Sequence, residues 1–168
     1  LEAPPQSDLS EKELLILNQA FTKKKSVVLE LLTSANIKSD ELSYINRLVL
    51  SNSPYLLRHS VNPINWKEWE QLTLENAKFE NKLIFLSIGY STCHWCHVME
   101  KDSFVDLEVA KLLNQYFVSI KVDRELNTII DQKYSNYLAA LKGSSGWPLT
   151  AILTPDGQPI WMDVFVDK

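Results

Sequence analysis

The chain has 168 residues, enough for one domain with its own core, and its 45% hydrophobic and 23% charged residues are ordinary for a globular protein. A formal net charge of −4 disfavours a nucleic-acid binder, which needs a basic face to neutralise phosphates. No apolar run is long enough to span a bilayer, and two cysteines are too few to staple a small secreted scaffold.

The opening "LEAPPQSD" reads as a loose polar tail. A polar start without Met favours a periplasmic or exported location over a cytoplasmic one. Ser10-x-x-Glu13 is a capping-box pattern, and Leu14, Leu17, Phe21, Val28 and Leu31 follow with helical spacing. One helix, or two split near Ser26, is expected to about Ser34, with Lys23–Lys25 on its solvated side. A second helix fits Asp40–Leu50, with Leu42, Ile45 and Val49 on one face. It must stop before Ser53-Pro54, because a residue preceding proline resists the α region. "SPYLLRHSVNPINW" holds two prolines and little periodicity, so an ordered loop is expected. Asn65-x-x-Glu68 can cap a helix from Trp66 to about Glu80, with Trp66, Trp69, Leu72 and Ala77 apolar.

Leu83–Gly89 is a nearly continuous apolar run, the mark of a strand buried on both faces. A cysteine-bearing segment follows and reads as helical to about Lys101. Asp106 can cap a short helix with Val109, Leu112 and Leu113 inward, and Phe117–Val122 reads as a second strand. Strand, helix and strand in this span imply a parallel crossover. A helix over 129–141 carries Ile130, Tyr134, Tyr137, Leu138 and Leu141. Leu149–Leu153 and Ile160–Val166 are strands around Pro155-Asp156-Gly157, a hairpin signal that makes this pair antiparallel. The order β-α-β-α-β-β implies a mixed sheet with helices on its faces.

The stretch "STCHWCHVME" holds both cysteines and two of the three histidines. Cys93 falls just past a buried strand, at the start of a helix. Unpaired N–H groups there stabilise a thiolate and lower its pKa. Cys96 is one turn on, close enough to attack a mixed disulfide made by Cys93. A charged His94 would stabilise that thiolate further, and Trp95 would offer a substrate peptide an apolar surface. Three other readings stand beside this one. The pair could be inert buried thiols. Cys93-His94-Trp95-Cys96-His97 is also a C-x-x-C-H haem-attachment pattern, with Met99 or Met162 as distal ligand, although a strand leading straight into the motif is unusual for a haem pocket. Cys93, Cys96 and His97, with His94 or His59, could bind zinc, although no second knuckle is present. Pro148 after Trp147 is either loop punctuation or a cis-proline that leaves the Trp147 backbone free to pair with an extended substrate. Ser87 reads as a buried, hydrogen-bonded hydroxyl, Asp123, Arg124 and Glu125 as a solvated charge cluster, and His59 as structural.

"SPYLLRHSVNPINW", "NKLIFLSIGYSTCHWCHVMEKDSF", "VSIKVDRE" and "GSSGWPLTAILTPDGQP" resemble the thioredoxin-like domain of the spermatogenesis-associated thioredoxin-like family, over roughly Asn46 to Pro159. Bacterial members of that family are usually long, with a downstream α/α-barrel domain. The resemblance implies an α/β thioredoxin-like fold, a mixed sheet flanked by helices, and the chain is expected to add an N-terminal helical extension and to have no C-terminal helix. The chain is read as a tail and helical extension at 1–50 and a thioredoxin-like domain at 51–168. The resemblance implies Cys93 as attacking thiol, Cys96 as resolving thiol and Pro148 as the cis-proline. His94, Trp95 and Trp147 are expected to tune the pair or bind substrate. The expected activity is thiol–disulfide oxidoreduction on protein thiols and disulfides, with no cofactor, no metal, no nucleic acid and no membrane span. The alternative is a redox-sensing binding module without turnover.

The chain departs from the pattern in three places. Thioredoxins proper carry a buried Asp where Ser87 stands, so proton transfer from Cys96 needs another acceptor or water. The family's usual Gly-Gly-x-Tyr-Phe-Pro stretch is replaced by Met162-Asp163-Val164-Phe165-Val166-Asp167. The last helix of a thioredoxin fold is missing, and the N-terminal helical segment is expected to pack on the sheet face left bare.

Overall fold

The computed structural model describes residues 1–40 and 42–168. Helix α1 spans Glu11–Ser34 without a break. Its start is the expected capping box: Ser10 Oγ accepts from the Glu13 amide at 3.3 Å, and Glu13 accepts from the Ser10 amide at 2.9 Å. Lysine is a good helix former, so the Lys23–Lys25 run does not interrupt it. Lys23 and Lys25 are solvated, but Lys24 turns inward and its Nζ donates to the carbonyls of Val49 and Ser51, both at 2.9 Å.

The next segment departs most from expectation. In place of a helix over Asp40–Leu50 there is a single 3-10 turn, Arg47–Leu50; residue 41 lies outside the described residues. The backbone of this stretch is already engaged, since Glu2 N–H donates to Ser43 O and Ile45 N–H to Glu2 O. The opening residues are therefore a strap rather than a loose tail. The strap is held further on by Asn114 Nδ2 donating to Pro5 O at 2.7 Å, and by Asp8 pairing with Arg47 (2.9 Å) and Lys67 (3.0 Å). The "SPYLLRHSVNPINW" stretch is not a plain loop. Ser53 caps a short helix α2, Pro54–Arg58, with Pro54 at the first-turn position it tolerates, and a 3-10 turn follows at His59–Val61.

Helix α3 is Gln71–Glu80, not Trp66–Glu80. Asn65 does not cap it; its side chain donates to Asp8, and Lys67 forms a bridge on the sheet edge at Ile120. Leu72 consequently faces solvent, while Thr73 and Ala77 point inward. Strand β1 (Leu83–Gly89) leads to α4 (His94–Met99), a single π-turn (Glu100–Phe104) and α5 (Leu107–Tyr116), capped by Asp106. Strand β2 (Phe117–Asp123), α6 (Thr128–Lys142), β3 (Leu149–Leu153) and β4 (Pro159–Asp163) complete the order. Leu112, expected inward, is exposed, and so is Leu141 near the end of α6. β4 ends earlier than expected because Phe165 and Val166 turn back to pack on a core cluster. Among the described residues no helix follows it.

The sheet order is β2-β1-β3-β4. β1 pairs parallel with β2, and β3 pairs antiparallel with both β1 and β4. The hairpin closes at Gly157, whose φ of 82° is left-handed backbone that glycine adopts without a steric cost. Ile84, Leu86 and Ile88 with Val118, Ile120 and Val122 make one apolar face, covered by Ala77 of α3 and by Tyr134 and Leu138 of α6. This is the mixed α/β sheet of a thioredoxin-like fold.

The opposite face carries Phe85, Ser87, Phe117, Ser119 and Lys121. It is covered by Leu48, Tyr55, Leu56, Ile64 and Trp66 from the segment before α3, and by Met99, Phe104 and Leu113 from the π-turn region and α5. Helix α1 does not lie on that face directly. Its Leu17, Phe21, Val28 and Leu32 meet Ile45, Val49 and Leu57, so it backs the covering layer as a further layer outside it.

One polar side chain ties that covering layer together. Asn46 is fully buried; its Nδ2 donates to the carbonyls of His59 (3.0 Å) and Ile64 (3.1 Å), and its Oδ1 accepts from the Leu48 amide (3.0 Å). Replacing Asn46 with Ala leaves the buried Leu48 amide without an acceptor, at about 1–3 kcal/mol, while the His59 and Ile64 carbonyls keep the Asn62 and Trp66 amides as donors. Denaturant unfolding of Asn46→Ala should show a loss of at least about 1 kcal/mol; a loss under about 0.5 kcal/mol would contradict this account.

Candidate functional site

β1 delivers the chain to Gly89, three residues turn, and Cys93 stands as the N-cap of α4 with extended backbone at φ −75° and ψ 110°. An N-cap side chain normally offers oxygen to the free amides of the first turn. Here the acceptor is sulfur: the Cys96 N–H donates to Cys93 Sγ at 3.3 Å. The two sulfurs are joined as a disulfide with a Cα–Cα separation of 5.2 Å. Both residues are nearly covered, Cys93 at 4% exposure and Cys96 at 2%. Burial therefore does not distinguish the two sulfurs, whereas the amide does, because it points at Cys93 alone.

The other residues singled out in the sequence fall around this pair. His94 and Trp95 are exposed on the first turn of α4, with their rings edge-to-face at 5.3 Å; Trp95 also meets Phe165 at 5.5 Å. The Trp147–Pro148 bond is cis. The last β1–β3 pair is Ile88–Leu149, so the register sets Pro148 across from Gly89, beside the pair. Trp147 packs edge-on to Tyr90 at 6.0 Å.

The charges at the end of β2 are not the solvated cluster expected; only Glu125 is. Asp123 is buried and accepts from Ser53 Oγ at 2.6 Å. The Arg124 guanidinium lies 3.9 Å from the Trp147 ring centre, and its Nε donates to Asp131 at 3.2 Å. Asp131 in turn accepts from Trp147 Nε1 at 2.8 Å. A cation stacked on an aromatic face and a shared carboxylate thus fix Trp147 beside the disulfide.

Behind the pair is a polar group that the sequence reading missed. Ser87 is buried as expected, but its partner is Lys121, whose Nζ donates to Ser87 Oγ at 2.9 Å and to the Tyr55 hydroxyl at 2.8 Å. The ammonium sits among the rings of Tyr55, Trp66 and Phe104, at 4.9, 5.3 and 4.9 Å. Beside it, Arg58 Nε pairs with Glu100 at 3.0 Å with both side chains buried. Burial pushes the Glu100 carboxyl up, against the pull of Arg58, and holds His59 neutral, well below the ordinary histidine range. His59 keeps a structural place through its Nδ1 contact with Asn62 at 3.0 Å. The signal for Lys121 was present: in "VSIKVD" Ser119 and Lys121 alternate with apolar residues, marking a polar stripe on one face of a buried strand.

Neither a haem nor a zinc fits these residues. His97 Nε2, which would face an iron, lies 2.6 Å from the Ser91 carbonyl and must carry hydrogen toward it, with the Arg58 guanidinium 3.1 Å away. Met99 and Met162 belong to clusters on opposite faces of the sheet. His59 is enclosed in the covering layer, and among the described residues no three His, Cys, Asp or Glu side chains converge as a metal would need.

A methyl group added at Gly89 would meet the Tyr55 hydroxyl and lie 2.7 Å from Cys96 Sγ. Gly89→Ala should lose about 1–3 kcal/mol through overpacking, read from denaturant unfolding of the oxidised protein. An alanine variant as stable as the parent would show that β1, Tyr55 and Cys96 are not packed this closely.

Residues 45–168 match the family model Thioredox_DsbH, described as "Protein of unknown function, DUF255". The "Uncharacterized protein B0495.5" of Caenorhabditis elegans is 54% identical over 118 residues, which is 70% of this chain and 16% of that protein. Human "Spermatogenesis-associated protein 20" is 50% identical over 114 residues, 68% of this chain and 14% of that protein. The chain thus spans only a small part of the length of these relatives. Among solved structures, "DsbH Oxidoreductase" aligns at TM-score 0.48 with 18% identity, covering 77% of this chain and 84% of that one. The disulphide isomerase from Xylella fastidiosa Temecula1 aligns at TM-score 0.45 with 19% identity, covering 59% and 78%. With the family model covering every element from Ile45 onward, the chain belongs to this thioredoxin-like Thioredox_DsbH family.

Proposed function

We propose that this chain exchanges disulfides with cysteines of other proteins, with residues 51–168 as the exchange domain and residues 1–50 as an extension that supports it. The observation that carries the reading is the Cys96 amide donating to Cys93 Sγ at 3.3 Å. When the disulfide opens, that amide and the free first-turn N–H groups favour a thiolate on Cys93. Cys93 attacks a substrate disulfide, a mixed disulfide forms, and Cys96 attacks Cys93 to release the substrate sulfur. His94 adds positive charge when protonated. Trp95 and the Arg124-clamped Trp147 flank the sulfurs as apolar contacts for a peptide, and the backbone before Pro148 is available to pair with an extended one.

The near-complete covering of both sulfurs in the oxidised state favours a second reading, a redox-responsive binding module without turnover. Turnover separates the two. Reduction of insulin by this chain with dithiothreitol should need both cysteines, and Cys93→Ser or Cys96→Ser should each fall to the uncatalysed rate. Cys96→Ser should also accumulate a mixed disulfide through Cys93. A wild-type rate no faster than dithiothreitol alone would leave only the binding module.

The thiolate claim has its own measurement. Alkylation of the reduced protein by iodoacetamide, followed against pH, should show Cys93 reacting with a midpoint at least about one unit below the ~8.5 of a free cysteine. A midpoint at the free-cysteine value would remove the physical basis of the proposal.

A further inference from the structure

The exchange reading leaves one step without a partner: Cys96 must lose its proton before it can attack. No carboxylate is hydrogen-bonded at Ser87, the strand position that faces the pair's interior side; the group held there is the Lys121 ammonium. Tyr55 connects it to the disulfide. Its hydroxyl accepts from Lys121 Nζ at 2.8 Å, and the same hydroxyl and Cys96 Sγ crowd the space of the one methyl group that Gly89 lacks. The hydroxyl thus borders the same methyl-sized space as the inner sulfur and meets the amine on its other side, with Cys96, Tyr55 and Lys121 all nearly or fully buried.

We propose that Tyr55 and Lys121 form a proton relay for the Cys96 thiol, a role that rests on the exchange reading above. With Lys121 as a neutral amine, the Tyr55 hydroxyl hydrogen turns toward Nζ and the hydroxyl oxygen faces the Cys96 S–H. As Cys96 sulfur attacks Cys93 Sγ of the mixed disulfide, its proton passes to the Tyr55 oxygen and the Tyr55 proton passes to Lys121. The Cys93–Cys96 bond forms, the bond from Cys93 to substrate breaks, and the substrate sulfur leaves with the electron pair as a thiolate. The substrate cysteine is reduced, the pair is oxidised, and the ammonium is left donating to Tyr55 and Ser87 as the structure of the disulfide form shows. Run in reverse, Lys121 returns the proton to Cys96.

The surroundings suit an amine that changes charge. Three aromatic rings attract the ammonium without supplying a counter-ion in contact with it. The charged and titratable groups around it are Glu100 on the π-turn, Arg58 and His59 from the α2 region, Asp123 on its own strand and Tyr55 itself. Burial pushes Lys121 down to about 7, with Glu100 pulling the other way and Arg58 adding to the lowering. Burial thus favours the neutral amine over the ammonium more than in an ordinary lysine. Burial raises Tyr55, so it passes a proton on rather than holding a negative charge.

The test uses the reduced chain and 5,5′-dithiobis(2-nitrobenzoate). The first thionitrobenzoate released reports attack by Cys93, and the second reports attack by Cys96 on the mixed disulfide. Across a pH series, Tyr55→Phe and Lys121→Met should each slow the second release by about 10²-fold near neutral pH. Its midpoint should move up toward the ~8.5 of an ordinary thiol, while the first release stays within a few-fold of wild type. Both variants releasing the second equivalent at the wild-type rate and midpoint would overturn the relay and leave the exchange reading standing. No second release from the wild type would overturn both. Circular dichroism establishes that each variant is folded; if Lys121→Met is not, Tyr55→Phe alone decides, since it removes one oxygen and keeps the ring.

Discussion

At the last residue of β1 there is no room for a side chain. Gly89 is where the sheet, the sulfur of Cys96 and the hydroxyl of Tyr55 converge. That convergence fixes the rest of the site. The chain leaves β1 at a point that lets α4 start almost on top of the sheet. Its first turn then holds Cys93 as cap and Cys96 as the inner sulfur, with the amide of one directed at the sulfur of the other. The Ser91 carbonyl, 2.6 Å from His97 Nε2, closes the three-residue turn against the far end of the same helix.

The two faces of the sheet do different work. One is apolar throughout and accounts for burial against α3 and α6. The other carries Ser87, Ser119 and Lys121 under a covering layer that contributes Tyr55, Arg58, His59 and Asn62. Burying such groups is costly unless they are paired. Most are: Arg58 with Glu100, Lys121 with two hydroxyls and three rings, Asn46 with the backbone. Apolar residues of the same volume would serve stability at least as well. The polar choice directly behind a disulfide points to proton and charge management there.

What could be read from the sequence follows the range of the forces involved. The run from Leu83 to the Asp156-Gly157 turn was legible because its signals are local: a continuous apolar strand, an Asp106 cap, a glycine where left-handed backbone is required. Cys93 as a helix cap was legible for the same reason. The stretch from Asp40 to Trp66 was not. Ile45 and Val49 mimic helical spacing because both face α1, while the backbone around Ser43 is claimed by Glu2, a partner some forty residues away in the chain. Asp123 and Arg124 read as solvated because nothing adjacent says otherwise; Ser53, Trp147 and Asp131 reach them only after folding. The β4 strand was drawn too long because Phe165 and Val166 are apolar for a different purpose, packing beside α4 and α5.

The covering layer also gives the N-terminal extension a reason to exist. Tyr55 and Arg58 sit on a five-residue helix, far too short to hold its shape alone. That helix is held on one side by the sheet, where Lys121 reaches Tyr55 and Asp123 reaches Ser53. On the other side it is held by α1, whose apolar stripe meets Leu57 of the same helix and Val49 of the turn before it. Lys24 of α1 adds bonds to the carbonyls of Val49 and Ser51. The long helix touches neither sulfur, yet it backs the layer from which Tyr55 is presented to Cys96. On this geometry the extension is a splint: loosening α1 would leave both cysteines in place and free the Tyr55 hydroxyl on which the proposed relay depends.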